Sequence, residues 1–181
     1  MEEEILLVVE ENMEKAVLNL AERMKTVRTG RANPSSLDKV MVNYYGAMTP
    51  LRQLANITVP EARQLLIKPF DRGALSGIEK GIYDADLGYT PNNDGETIRI
   101  VIPDLTEERR RELVKQVKGM GEEAKVSIRN ARRDGLDSLK KAELPEDDEK
   151  RVEEEIQELV NKYNKKVDDE LAEKEKDLMV V

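Results

Sequence analysis

The 181 residues include no cysteine, no histidine and no tryptophan, and only one phenylalanine. Without cysteine there is no disulfide and no thiolate-held metal; without histidine the commonest general base and zinc ligand is missing. Ser35 and Ser36 have no imidazole to activate them, so a conventional hydrolase triad cannot form. Most familiar catalytic constellations are excluded, and the reading is of a protein that is not an enzyme and holds no metal or cofactor. Aromatics at 3% against charged residues at 38% favour long solvated helices over a thick aromatic core. The apolar run Ile5-Leu6-Leu7-Val8-Val9 is too short to span a bilayer, and it follows Met1-Glu2-Glu3-Glu4, acidic where an export signal is basic. A cytoplasmic protein without a membrane span is expected.

What is present is charge, unevenly placed. The net charge is −8, yet residues 105–141 carry eleven Lys and Arg against seven Asp and Glu, whereas residues 146–181 carry seven against fourteen. Within the positive segment Arg111, Lys115, Lys118, Lys125, Arg129, Arg132 and Arg133 fall within an arc of about 100° on a helical wheel, apart from an apolar arc of similar width. Between Arg111 and Arg133, Glu122 alone intrudes on the basic face, where ion pairs with Lys118 and Lys125 at i,i+3 or i,i+4 are expected. A face needed only for solubility does as well with Lys or Glu; guanidinium groups bind phosphate bidentately and stack on bases. The face therefore points to phosphate. The competing reading is a solvated face, or one that pairs with the acidic C-terminal segment.

Three stretches show helical spacing. The first, over residues 2–29, places Leu6, Val9, Met13, Ala16, Leu20, Met24 and Val27 on one stripe, with Gly30 as its end. A second runs through Leu113, Val117, Met120, Ala124, Ile128, Ala131 and Leu139, with Asp104 or Thr106 as N-cap. It spans roughly 35 residues and about 50 Å. The third runs through Val152, Ile156, Leu159, Tyr163, Val167 and Leu171 after Pro145, where Glu146-Asp147-Asp148-Glu149 suit the first turn. Those carboxylates, and Glu153-Glu154-Glu155, need no metal to explain them. Between the first two helices come β-type runs: Lys39–Tyr44 and Ala47–Thr49 around Tyr45-Gly46 as a hairpin, then Ile57–Val59, Leu65–Lys68 and Thr97–Ile102, the last after a turn at Asn92–Gly95. Gly73, Gly77 and Gly81 recur without a phosphate-loop pattern and suggest a short helix packed closely on the sheet.

The expected fold is α+β: an elongated three-helix bundle, residues 1–30 plus 105–181, with a small β/α/β domain inserted at 31–104. Two strands of chain join them, and Gly30, Arg31, Pro103, Asp104, Leu105 and Thr106 are the candidate hinge. Because the three stripes can satisfy one another, a monomer is expected.

Several motifs in one order carry a resemblance. Arg28-Thr29-Gly30-Arg31-Ala32-Asn33-Pro34, Tyr44-Tyr45-Gly46, Asp86-Leu87-Gly88, Asn93-Asp94-Gly95, Leu105-Thr106-Glu107-Glu108-Arg109-Arg110 and Arg129-Asn130-Ala131-Arg132-Arg133 together resemble bacterial ribosome recycling factors. The resemblance implies an L-shaped, tRNA-sized protein that acts with elongation factor G and GTP to split post-termination ribosomes, releasing messenger and tRNA. It further implies that Arg129, Arg132 and Arg133 contact large-subunit ribosomal RNA, that Lys118 and Lys125 share that face, and that Arg28 and Arg31 support it near the elbow. The alternative is a helical scaffold or chaperone-like module that binds acidic protein surfaces. The chain departs from the family pattern in a shorter Lys140–Leu144 connection and in Tyr89-Thr90-Pro91. It departs also in glycines at 73, 77, 119, 121 and 135, which predict reduced stability.

Overall fold

The three stripes become helices, and the β-type runs become strands. In chain order the computed structural model, which describes residues 1–179, contains α1 (Glu2–Lys25), β1 (Met41–Tyr44), β2 (Ala47–Pro50), α2 (Leu51–Leu54), β3 (Ala55–Glu61), β4 (Gln64–Pro69), α3 (Leu75–Asp84), β5 (Pro91–Asn93), β6 (Ile98–Val101), α4 (Glu107–Lys141) and α5 (Glu146–Leu178). The chain divides into two compact units, Met1–Thr29 with the chain from Thr106, and Gly30–Leu105.

In the helical unit α1, α4 and α5 pack on one another. All seven residues of the expected α4 stripe are buried, and Thr106 is the N-cap, its Oγ1 accepting from the Arg109 N–H at 3.1 Å. The helix has 35 residues and is about 52 Å long. On α1 the buried row is Ile5, Val9, Met13, Val17, Leu20 and Met24, so Ile5 and Val17 replace the expected Leu6 and Ala16. Both rows keep helical spacing; burying the larger Val17 in place of Ala16 removes more apolar area from water. The helix also ends earlier than expected, at Lys25, where the Thr26 hydroxyl donates to the Arg23 carbonyl at 2.6 Å. Gly30, at φ +78°, belongs to the turn that follows. On α5, Val160 and Leu178 join the core, while Leu159 and Leu171 are half-buried.

Two of the glycines expected to weaken α4 are where its neighbours come closest. A Cβ at Gly121 would lie 2.5 Å from Leu171 Cδ1, and one at Gly135 would collide with Val9 Cγ2. Their cost to helix propensity is offset by closer packing against α5 and α1. Gly119 has nothing within 4 Å of its Cβ position and carries the cost alone.

In the smaller unit β1 and β2 form the expected hairpin, with Tyr45 (φ +49°) and Gly46 (φ +84°) both left-handed, as a two-residue hairpin turn requires. The other strands form an antiparallel sheet of order β3-β4-β6-β5. β5 was expected to be part of a turn. Pro91 and two asparagines give no strand signal, but an edge strand tolerates proline, and Pro91–Asn93 pairs with Ile98–Ile100. The single turn α2 is likewise unforeseen; it buries Leu51 and Leu54. Gly77 and Gly81 do mark close packing of α3, though against the hairpin. Their Cβ positions would be 3.0 Å from the Asn43 carbonyl oxygen and 2.7 Å from that of Met41. Val42, Leu65, Ile67, Ile78, Ile98 and Ile100 form the centre of this unit's own core.

Two aspartates hold its turns. Asp71 accepts from the Tyr44 hydroxyl at 2.7 Å and from the Gly73 N–H at 2.9 Å. Asp94 accepts from the N–H groups of Thr97 and Glu96 and from the Thr97 hydroxyl. These hydrogen bonds hold both carboxyls below the ordinary value of 3.8. Their contribution is therefore complete above that value and is lost as pH falls through the lower native values.

Gly119→Ala should raise the unfolding free energy by about 1 kcal/mol, and Gly135→Ala should lower it by about 1–3 kcal/mol through overpacking, as read by urea unfolding. Below the ordinary aspartate range the smaller unit should lose stability with falling pH. Amide exchange at Gly73 and Thr97 reports this, and Asp71→Asn with Asp94→Asn should weaken the unit at neutral pH and flatten the acid response.

Candidate nucleic-acid interface on the fourth helix

Burying Leu113 through Leu139 against α1 and α5 leaves the opposite arc of α4 on the surface. Six of its seven cations are exposed and Lys125 is half-buried. Arg111 donates to Glu107 at 2.9 Å along its own helix. Lys125 reaches Asp168 of α5 at 2.8 Å. Arg133 Nε is 3.9 Å from Asp134, beyond hydrogen-bond range. Among the described residues, Lys115, Lys118, Arg129 and Arg132 have neither an ion-pair nor a hydrogen-bond partner.

The expected pairs of Glu122 with Lys118 and Lys125 do not form, because helix packing offers Lys125 a carboxylate on the next helix. The suggestion that the stripe exists to pair with the acidic α5 fits Lys125 and none of the other six among the described residues. Most of the charge pairing between helices lies elsewhere: Arg23 with Glu123, Arg151 with Glu2, Lys162 with Glu10, and Lys166 with Glu14. The last two flank Tyr163, whose buried hydroxyl donates to Glu10 at 3.0 Å and is pushed well above the ordinary tyrosine value, chiefly by burial.

The stripe thus separates into a lysine patch, Lys115 and Lys118, and an arginine patch, Arg129, Arg132 and Arg133. Lys118 and Arg129 are eleven residues apart, about 16 Å along the axis. An exposed guanidinium without an internal partner keeps all its donors for a ligand, and its fork matches two phosphate oxygens.

Arg28 and Arg31 flank Gly30, are exposed, and each has an intramolecular partner. Helix α1 runs antiparallel to α4, as Val9 against Gly135 and Arg23 against Glu123 show. Arg28 accordingly lies toward the Lys118 end of the face, away from the arginine patch.

The candidate hinge residues divide between the units. Gly30 packs against Leu105, with its Cβ position 3.4 Å from Leu105 Cγ, while Thr106 caps α4. The Ala62-Arg63 turn anchors both crossing segments. Ala32 N–H donates to the Ala62 carbonyl at 2.8 Å, Ile102 N–H to the Arg63 carbonyl at 2.7 Å, and the Arg63 guanidinium pairs with Asp104. Sequence reasoning missed this turn and Asp168, since neither carries a local signal of which distant segment it meets.

A family model described as ribosome recycling factor matches residues 20–179. The chain is 54% identical to the ribosome-recycling factor of Bacillus subtilis (strain 168) over 185 aligned positions, covering 100% of each chain. It is 54% identical to that of Caldicellulosiruptor saccharolyticus, covering 98% of this chain and 99% of the other. Among solved structures, a solution structure of a ribosome recycling factor matches with a TM-score of 0.80 at 38% identity, covering 99% of this chain and 98% of that one. The T. thermophilus factor, in models with E. coli elongation factor G bound to the E. coli post-termination complex, matches with a TM-score of 0.65 at 42% identity, covering 99% and 100%.

Because Arg129 and Arg132 touch no internal partner, Arg129→Ala and Arg132→Ala should each change the unfolding free energy by less than about 0.5 kcal/mol. Chemical denaturation followed by helical circular dichroism checks this.

Proposed function

The chain belongs to the ribosome recycling factor family, and from that premise we propose that it disassembles post-termination ribosomes in the cytoplasm. It separates the subunits together with elongation factor G, so that messenger and tRNA leave. The GTP is hydrolysed on that partner; this chain contributes binding and mechanical work, and no catalytic residue. The carrying observation is the pair Arg129 and Arg132, exposed and internally unpartnered on the α4 face of a chain whose net charge is −8.

On this reading Arg129 and Arg132 bind large-subunit ribosomal RNA phosphates, with Arg133 beside them and Lys118 on the second patch. Lys125 belongs to the same face but is held by Asp168, and Arg28 and Arg31 add positive charge at the domain junction. The overall acidity sharpens the choice of orientation. Phosphate repels most of the surface, so the α4 face is the approach with the lowest electrostatic cost. The buried seams of α4 make it a stiff strut on which force from the GTPase can act. The crossings at Thr29-Gly30 and Leu105-Thr106, with Arg31, Pro103 and Asp104 alongside, serve as the pivot. In support, two of the family motifs, Arg28–Pro34 and Leu105–Arg110, span the crossings, and each unit has its own core.

The folded chain should split model post-termination complexes in the presence of elongation factor G and GTP; intact complexes would refute the function. Arg132→Ala should weaken binding to large subunits and reduce the log–log salt slope by about 0.9 if one phosphate contact is lost. Ribonuclease treatment separates this from a scaffold that binds acidic proteins, because co-sedimentation should require intact RNA.

A further inference from the structure

Lys125 sits midway along the basic face, and of that face's seven cations it is the one that is half-buried. Its side chain is 26% exposed and its Nζ lies 2.8 Å from Asp168 Oδ1. Helix packing brings the pair together, since Asp168 is on α5. Glu122 is one turn away on the same face of α4, and Lys125 nevertheless turns to α5. Arg129 stands one turn further on, where an untethered Lys125 would meet like charge at i,i+4. Asp168 itself is 59% exposed at its side chain, so it is open to change without opening a core.

We propose that Asp168 is an affinity-setting residue of the RNA-binding face: by holding Lys125 it withholds the central cation from the RNA and divides the stripe into its lysine and arginine patches. The inference rests on the reading of α4 as the face that meets ribosomal RNA. Each cation that neutralises a phosphate adds to affinity through counterion release, without regard to sequence. A factor that must leave after every round gains from a face of limited strength. Asp168 limits it at one position while leaving Arg129 and Arg132 unpartnered.

The test measures binding to isolated large ribosomal subunits across a salt series for the wild type, Asp168→Asn, Lys125→Gln, the double variant and Arg132→Ala. Asp168→Asn should steepen the log–log slope by about 0.7–0.9 and tighten binding on the order of fivefold to tenfold at 0.1 M salt. Lys125→Gln alone leaves the Asp168 carboxylate uncompensated beside the face and should not tighten binding; in the Asp168→Asn background it should erase the gain and return binding to the wild-type level. Asp168→Ser carries the same expectation as a second variant, and matching thermal unfolding profiles show that folded chains are being compared. If Arg132→Ala weakens binding while Asp168→Asn leaves slope and affinity unchanged, this inference is overturned and the reading of the face stands. It is overturned as well if the charge-balanced double variant binds as much more weakly than the wild type as Arg132→Ala does, since Lys125 would then already touch the RNA in the wild type. If neither Arg132→Ala nor Asp168→Asn has an effect, both fail.

Discussion

The apolar arc of α4 has to be hidden on two sides at once, and the rest of the helical unit follows from that constraint. Val117, Ile128, Ala131 and Leu139 can leave water only if α1 and α5 lie along the same helix. Gly121 and Gly135 let Leu171 and Val9 reach the α4 backbone. Once that seam is closed, the opposite arc must face solvent, and the cations on it are displayed by default. The binding face is thus the geometric complement of the core, and anything that rotates α4 in its seam redirects the arginines.

The same packing decides which charges are available. Carboxylates of α1 engage cations of α5 along their shared seam, at Glu10 with Lys162 and at Glu14 with Lys166. Such pairs are individually weak where exposed, but they use up charge in places where none is needed for binding. On α4, by contrast, Lys115, Lys118, Arg129 and Arg132 are left uncompensated on one face. For an acidic protein approaching a polyanion, the placement of the unpaired cations matters more than their total, because repulsion over the rest of the surface penalises other orientations.

Much of this was legible in the sequence. The α4 row was complete because seven apolar residues with helical spacing over a long segment leave little freedom of phase. The α1 row was misplaced by one residue at two positions because Ile5 with Leu6 and Ala16 with Val17 offer two apolar choices each, and only packing against α4 and α5 selects between them. The strand β5 was missed because edge position, unlike core position, imposes no apolar alternation on Asn92 and Asn93. The cost of the α4 glycines was read from propensity alone, and for Gly121 and Gly135 the opposing gain is a tertiary contact that no local pattern encodes. The basic stripe was visible as a stripe. That Lys125 is held was not, because it depends on the register of two helices adjacent in space.

That register has a consequence for how fold and binding can change independently. The α4–α5 interface carries apolar contacts such as Leu171 over Gly121 one turn from where Asp168 holds Lys125. The apolar contact sits on the buried Gly121 backbone and is shape-dependent, so a change there alters stability and the aim of the whole face together. The ionic contact is at the surface, where a single pair contributes little to folding but removes a full charge from the face that a polyanion meets. Binding strength can therefore be altered at Asp168 in steps of one charge while the seam that aims the arginines stays as it is. Two functions of one interface are separated by depth: the buried layer sets direction, and the exposed layer sets how much charge is presented.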